Sequence, residues 1–213
     1  MIVTLPNAIT FARIFACPFV AYLTLAPGTA SRYAAFLLYL AAALSDIWDG
    51  HLARKYRSVT DAGKLLDPLA DKLLLVSTFV PFYFLTRGDE LGGIPWWGEL
   101  PIWVLVVVLG RELLMTAFRS YAARRGVVIA AGRTGKYKTL AQCIFAGALL
   151  LWYPTAISAA EGGWSGALWV GFRHFHGLVI AVSLALAVAL TVLSMADYLW
   201  RYREVVAGAA PRR

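Results

Sequence analysis

The sequence SDIWDGHLARKYRSVTDAGKLLDPLADK, residues 45–72, joins two long apolar runs and contains five of the chain's 12 acidic residues. Carboxylates are costly beside lipid and are placed there for a functional reason far more often than by chance. The acids of this stretch are Asp46, Asp49, Asp61, Asp67 and Asp71. Their spacing and their apolar surroundings therefore determine both the fold and the chemistry that we predict.

The composition indicates an integral membrane protein. Hydrophobic residues make up 60% of the 213 residues and charged residues 15%, whereas a soluble domain is typically about 45–50% apolar and about 25% charged. No Pro/Ser-rich linker divides the chain, so we predict a single domain over residues 1–213. The first residues lack a basic region ahead of the apolar run, and we therefore expect no cleaved signal peptide.

Six apolar runs approach the roughly 20 residues that cross a bilayer as a helix. Strands are excluded, because an open strand leaves backbone groups unpaired in lipid. We predict an all-α protein with six transmembrane helices. The predicted segments cover residues 8–26, 33–48, 66–85, 101–121, 139–157 and 178–200.

Lysine and arginine are distributed unevenly among the connections. They cluster between the second and third segments, between the fourth and fifth, and in the C-terminal tail, whereas the opposite connections hold only Arg32, Arg87 and Arg173. Basic loops remain in the cytoplasm, so we expect both termini and the acidic stretch on that side. The net charge of +8 is explained by this topology and by anionic lipids, and we expect no nucleic-acid partner.

Four of the acids form a pattern that suits divalent metal. Asp46 and Asp49 are three residues apart, and Asp67 and Asp71 are four apart, which places each pair on one helix face. Four converging carboxylates would repel one another without a cation. Hard oxygen ligands favour Mg²⁺, Mn²⁺ or Ca²⁺ over Zn²⁺, and four of them are enough for two ions. Asp61 lies outside this pattern.

Small and basic residues accompany the acids. Gly50, Ala53 and Gly63 allow a ligand to approach the backbone closely, while Arg54 and Lys64 add positive charge. Metal, a smooth helix surface and an arginine together suit a phosphate ester such as a diphosphate. The alternative is that the acids are ordinary helix caps and salt-bridge partners.

The spacing of these residues resembles the signature of the CDP-alcohol phosphatidyltransferase family. Every signature position is matched: Asp46-x2-Asp49-Gly50-x2-Ala53-Arg54-x8-Gly63-x3-Asp67-x3-Asp71. The resemblance implies the six-helix membrane fold of that family, usually as a homodimer. It also implies transfer of a phosphatidyl group from a CDP-linked lipid to an alcohol, with release of CMP.

Four flanking blocks bear on the acceptor alcohol. They resemble the phosphatidylglycerophosphate synthases within this family, which implies CDP-diacylglycerol as donor, glycerol 3-phosphate as acceptor and the bacterial inner membrane as location. The blocks are LPNAITFARI, GRELLMTAFRSYAARRG, GKYKTLAQ and LSMADYLWRY. Phosphatidylglycerol, inositol phosphate or serine are alternative acceptors, and a divalent-cation transporter is the alternative from another class of protein.

The resemblance implies a role for each signature residue. Asp46, Asp49 and Asp67 would be the main ligands of two Mg²⁺ or Mn²⁺ ions, and Asp71 a further ligand and the general base. The remaining positions would bind the CDP-lipid: Gly50, Ala53 and Gly63 beside the cytidine, Arg54 at the diphosphate, and Asn7, Thr10 and Arg13 from the first segment. Arg13 could instead extend toward the interface as a lone cation.

The acceptor's phosphate needs basic residues of its own, and four are available on the predicted cytoplasmic half: Arg111, Arg119, Lys136 and Lys138. Arg111 adjoins Glu112 within a membrane segment, where either charge is costly. The alternative to phosphate binding is that they pair with each other or with other residues. Adjacent positions do not face each other on a helix, so mutual pairing is the weaker version of this alternative.

Three other groups of polar residues carry weaker predictions. Cys17 and Cys143 are expected to be small buried side chains. His174 and His176 fall in a predicted outer loop and make only a weak metal-site pattern. Asp197 is expected to face the protein interior because of the cost of exposing it to lipid.

Overall fold

A computed structural model of the chain describes residues 5–55, 61–88, 93–125 and 133–201. In these ranges the protein is helical, and its only extended pairing is an isolated bridge between Ile94 and Gly98. The six helices are α1 (Leu5–Leu25), α2 (Thr29–Lys55), α3 (Asp61–Leu85), α4 (Ile102–Arg124), α5 (Arg133–Glu161) and α6 (Ala167–Arg201). The predicted all-α architecture with six helices is confirmed.

Four helices contain stretches that are long and apolar enough to cross a membrane, which supports an integral membrane protein. The stretches are Asn7–Leu25, Leu66–Leu85, Gly135–Glu161 and Ala167–Trp200. The other two predicted segments correspond to α2 and α4, which carry more charge. From Asp46 onward α2 contains both acidic and basic residues, and α4 contains Arg111, Glu112 and Arg119. That α2 and α4 also cross the membrane stays a prediction.

The helices pack so that the N-terminal ends of α3 and α5 lie at the same end of the molecule. α1 lies against α2 and α3, and α5 lies against α2 and α6. Phe79 of α3 contacts Phe145 of α5 with ring centroids 5.3 Å apart, and both side chains are fully buried. Asp71 and Lys138 each precede these phenylalanines by about two helical turns. The packing therefore brings an acid of the signature and a predicted acceptor residue to one end of the molecule.

α6 begins eleven residues earlier than we predicted, at Ala167 instead of residue 178. The predicted outer loop that includes His176 is therefore mostly helix, and a short turn follows α5. Ring stacking explains the difference: Trp152 of α5 stacks on Trp169 at 6.3 Å and on His176 at 6.0 Å. His176 Nε2 also lies 2.8 Å from the carbonyl oxygen of Ala148. His176 thus fastens α6 to α5, which is a packing role.

The helix boundaries also place the polar residues. α2 continues to Lys55 and α3 begins at Asp61, so the signature acids lie on helices as their spacing predicted. α5 begins at Arg133, six residues before the predicted segment. Lys136 and Lys138 consequently belong to the first turns of α5 instead of preceding it.

Candidate active site

Arg13 of α1 joins three helices at the acidic end of the bundle. Its Nη1 donates to Asp46 Oδ1 of α2 at 2.6 Å and lies 3.3 Å from Asp71 Oδ1 of α3. Arg13 is 2% exposed, whereas the side chains of Asp46 and Asp71 are 48% and 56% exposed. Arg13 is therefore a buried cation that holds two signature carboxylates side by side, and it does not extend toward the interface as a lone cation.

Thr10 and Asn7 continue the same face of α1. Thr10 Oγ1 donates to Asp67 Oδ1 at 2.9 Å, and both Thr10 and Asn7 are buried. These residues and Arg13 are three apart along α1, so they share one helix face. The structure thus brings this face of α1 into contact with Asp46, Asp67 and Asp71, and its predicted role in binding the CDP-lipid stays a prediction.

The donor set suits a hard divalent cation, although the described part of it is incomplete. Asp46, Asp67 and Asp71 are all exposed at one end of the bundle, and two of them already converge on one positively charged nitrogen. Carboxylate oxygens are the ligands that Mg²⁺ and Mn²⁺ prefer. Among the described side chains, no three acids, histidines or cysteines are close enough to hold a metal ion. The predicted set also requires Asp49, whose side chain is not described.

For five of the residues that we predict to bind metal or CDP-lipid, the structure describes only the backbone. Asp49, Gly50, Ala53 and Arg54 belong to α2, and Gly63 belongs to α3. Their side chains lie outside the described part of the structure. Their roles in binding metal and CDP-lipid stay predictions.

An open cavity of about 150 Å³ connects two of the signature acids with Lys138, one of the predicted acceptor residues. Its charged lining consists of Asp46 and Asp71 from the signature, together with Lys72, Glu112 and Lys138. Carboxylates thus line one part of the cavity, and the Glu112–Lys138 pair lines another. A substrate in this cavity can contact both groups at once.

Arg111, Glu112 and Lys138 form a buried charge cluster at the cavity wall. Glu112 Oε1 accepts hydrogen bonds from Arg111 Nη1 at 3.0 Å and from Lys138 Nζ. Arg111 and Lys138 are 6% and 3% exposed. Arg111 and Glu112 therefore pair with each other, which was the weaker of the two alternatives, and Glu112 also pairs with another residue, Lys138. Both side chains are long enough to bend toward a shared point, and Lys138 on α5 fixes that point from outside the helix.

The other two predicted acceptor residues lie elsewhere. Arg119 is exposed on α4 and donates from Nη2 to the hydroxyl of Tyr198 on α6 at 3.1 Å. Lys136 is exposed on the first turn of α5. Neither of them lines the cavity, and Arg111 does not line it either. The structure joins Arg111 and Lys138 through Glu112, and it does not place Arg119 or Lys136 in that hydrogen-bonded cluster.

Sequence reasoning missed two parts of the cavity wall. Tyr39 of α2 donates its hydroxyl to the carbonyl oxygen of Cys143 at 3.1 Å, and both residues line the cavity. Cys143 is exposed, so the prediction that it is buried is wrong, whereas Cys17 is buried as predicted. Glu112 is central to the charge cluster but was predicted only as a neighbour of Arg111. A glutamate within a membrane segment is the signal that could have identified it.

Comparison with known proteins adds an independent observation. The family model described as CDP-alcohol phosphatidyltransferase matches residues 3–193. The chain is 38% identical to the CDP-diacylglycerol--glycerol-3-phosphate 3-phosphatidyltransferase of Bacillus subtilis (strain 168), over 69% of this chain and 76% of that relative.

Two further relatives cover more of the chain. A probable phosphatidylglycerophosphate synthase of Mycobacterium tuberculosis (strain CDC 1551 / Oshkosh) is 33% identical over 97% of this chain and 85% of its own length. The CDP-diacylglycerol--glycerol-3-phosphate 3-phosphatidyltransferase of Escherichia coli (strain K12) is 32% identical over 92% of each chain. The similarity therefore extends over the acids, the α1 face and the buried charge cluster alike.

Proposed function

The chain belongs to the CDP-alcohol phosphatidyltransferase family, and we propose that it transfers a phosphatidyl group from CDP-diacylglycerol to glycerol 3-phosphate. The products are phosphatidylglycerol phosphate and CMP. Membership of the family makes the protein a transferase. The names of the relatives support the choice of donor and acceptor.

One observation carries the proposal: the signature acids Asp46 and Asp71 line the same cavity as the buried cation Lys138. Arg111, a second buried cation, is joined to Lys138 through Glu112. The reaction joins a diphosphate-bearing lipid to a small phosphorylated alcohol. The donor's diphosphate needs positive charge beside the carboxylates, and the acceptor's phosphate needs a separate basic subsite. Asp46 and Asp71 with the Arg13 cation between them form the first environment, and Arg111 with Lys138 forms the second.

The chemical step is a displacement at the phosphorus atom that carries diacylglycerol. The acceptor's hydroxyl oxygen forms the new bond, the bond from that phosphorus to the oxygen of CMP breaks, and CMP leaves with the electron pair. Asp71 is the proposed base that takes the hydroxyl proton. Its side chain is 56% exposed and lines the cavity, so a hydroxyl can reach it. A carboxylate within hydrogen-bond reach is geometrically suited to this role.

Divalent metal ions are typical of the family, and we propose Asp46, Asp49, Asp67 and Asp71 as the residues that hold two Mg²⁺ or Mn²⁺ ions. When bound, such ions neutralise the diphosphate and the departing CMP. The protein contributes the placement of the carboxylates. Arg13 fixes Asp46 and Asp71, and Thr10 fixes Asp67, each by a direct hydrogen bond.

The remaining predicted contacts complete the donor and acceptor sites. We propose Gly50, Ala53, Gly63 and Arg54, with Asn7 from α1, as contacts of the cytidine diphosphate. Arg111 and Lys138 bind the acceptor's phosphate. Arg119 and Lys136 are exposed near the same end of the bundle, where they attract the anionic acceptor from solution.

The substrates also suggest a location. CDP-diacylglycerol is held in the bilayer by its acyl chains, while glycerol 3-phosphate is dissolved in the cytoplasm. We propose that the protein lies in a bacterial inner membrane with the cavity and both termini on the cytoplasmic side, among membrane lipids and as a homodimer. The charge distribution of the loops supports this orientation.

An acceptor panel tests the proposal. The purified protein receives CDP-diacylglycerol, Mg²⁺ and either glycerol 3-phosphate, phosphatidylglycerol, inositol phosphate or serine, and CMP release is measured while the lipid product is identified by mass spectrometry. We expect CMP release with glycerol 3-phosphate only. Release of CMP with phosphatidylglycerol but not with glycerol 3-phosphate would contradict the proposal that glycerol 3-phosphate is the acceptor. No release with any acceptor would contradict the enzymatic reaction itself.

A further inference from the structure

Glu112 occupies an unusual position between two buried cations at the wall of the cavity. A single oxygen, Oε1, accepts hydrogen bonds from Arg111 Nη1 and Lys138 Nζ. Glu112 and Lys138 both line the cavity. One carboxylate oxygen therefore carries both contacts that hold the basic subsite together.

The cluster offers more hydrogen-bond donors than Glu112 can accept. A guanidinium has five N–H groups and an ammonium has three. Within the described part of the structure, Arg111 Nε is buried and makes no hydrogen bond. The two cations and one carboxylate also leave a net positive charge in an apolar setting, which is costly. Both the unused donor and the charge point to an additional anion with several oxygens.

We propose that Glu112 is the resident counter-anion of the acceptor's phosphate subsite. In the free enzyme it holds Arg111 and Lys138 in place, and it releases their N–H groups to the phosphate when the acceptor binds. This inference rests on the proposed function for the identity of the acceptor. Glu112 is a positioning residue that competes with the substrate, and it takes no part in bond making or breaking.

Charge alone explains the competition. A carboxylate and a phosphate seek the same donors, and two anions at adjoining positions repel each other. Glu112 therefore weakens acceptor binding while it keeps two buried cations compatible with the folded protein. Removing its charge leaves Arg111 and Lys138 fully available to a phosphate.

The test is Glu112→Gln in the full-length protein in lipid nanodiscs. Glutamine keeps the size of the side chain and removes the charge. We expect the KM for glycerol 3-phosphate to fall about tenfold, and the Kd for inorganic phosphate, measured by calorimetry, to fall to a similar extent. A purely structural role would not strengthen phosphate binding.

The matched control is Glu99→Gln. Glu99 also pairs with an arginine, Arg87, at 3.5 Å, but its side chain is 64% exposed and lies outside the cavity. We expect both constants to remain unchanged in this variant. Glu112→Asp is the second variant, because a shorter carboxylate holds both cations less well, and its phosphate Kd should fall between those of the wild type and Glu112→Gln.

Each other outcome decides against the inference. An unchanged or higher phosphate Kd in the two Glu112 variants would mean that Glu112 does not compete with the acceptor. Failure of both variants to fold, while Glu99→Gln folds, would make Glu112 a permanent structural counter-ion. The phosphate Kd does not depend on turnover, so it separates this inference from the proposed reaction, which the wild type's CMP release tests.

Discussion

Replacing Arg13 with methionine tests whether a single buried cation organises the carboxylates. Methionine is apolar and of comparable length, so the change removes the charge and both hydrogen bonds while it preserves much of the packing. Arg13→Met leaves Asp46 and Asp71 without the nitrogen that holds them, at 2.6 and 3.3 Å in the wild type. The carboxylates would then repel each other and turn toward solvent.

The expected loss of stability follows from how exposed the two partners of Arg13, Asp46 and Asp71, are. A hydrogen bond to a charged group contributes about 1.5–3 kcal/mol when it is well buried. Asp46 and Asp71 are 48% and 56% exposed, and solvent screens such pairs strongly. We therefore expect the free energy of unfolding to fall by ~2 kcal/mol in total. Because the displaced carboxylates include the proposed base, kcat should fall about 100-fold, which corresponds to ~2.7 kcal/mol.

Arg13→Lys separates charge from shape. Both contacts come from one nitrogen, Nη1, and a lysine ammonium also offers several donors from one atom. We expect this variant to retain about one tenth of the wild-type kcat. Arg173→Met, at an exposed position of α6, should match the wild type in both measurements.

The assays are CMP release in mixed micelles and thermal melting of the same preparation. Wild-type kcat and melting temperature in Arg13→Met would refute the reasoning. A lysine variant as inactive as the methionine variant would refute the role of charge, because it would show that the planar guanidinium itself is required.

Three further variants test separate parts of the site and fold. Asp49→Asn should lower CMP release at least about 1,000-fold, or ~4 kcal/mol, without lowering the melting temperature, while Asp61→Asn stays active. CMP release by Asp49→Asn at a rate close to that of the wild type would contradict the role of Asp49 as a metal ligand. His176→Leu should lower the free energy of unfolding by ~2 kcal/mol through lost stacking and one lost hydrogen bond, with kcat per folded molecule unchanged; a stable variant would contradict the packing role. Tyr198→Phe should raise the KM for glycerol 3-phosphate about threefold, since the loss of one part-buried hydrogen bond to Arg119 costs ~0.6 kcal/mol; an unchanged KM would separate Arg119 from acceptor capture.

The helices were predictable because apolar runs of this length have no other stable form in a bilayer, but their ends were not. The start of α6 is the clearest case. Tryptophan, histidine and glycine between α5 and residue 178 are typical of an interfacial loop, and nothing local indicates otherwise. The helix extends back to Ala167 because its rings stack on Trp152 of α5. Tertiary packing of this kind is not visible in the local pattern.

The acidic part of the site was easier to predict than the Glu112 charge cluster, for a related reason. Asp46, Asp67 and Asp71 lie on helix faces fixed by their spacing, so it was the geometry that predicted their convergence, whereas the part played by α1 was implied only by the family resemblance. Glu112 depends on a partner from another helix. The rule that adjacent helical residues do not interact describes the directions of their Cβ atoms. It fails here because Lys138 binds the long side chain of Glu112 at a point that the Arg111 side chain also reaches.

The charges of the cavity also constrain how an acceptor can lie in it. Arg111 and Lys138, the proposed phosphate subsite, attract an anionic group, whereas Asp71, the proposed base, repels one. An acceptor with a phosphate at one end and a hydroxyl at the other therefore has a single favourable orientation, in which the hydroxyl faces Asp71. Serine offers a carboxylate in place of the phosphate and so has fewer oxygens to accept hydrogen bonds. The unused donor of Arg111 beside Lys138 thus favours a phosphorylated alcohol over an amino acid as the acceptor.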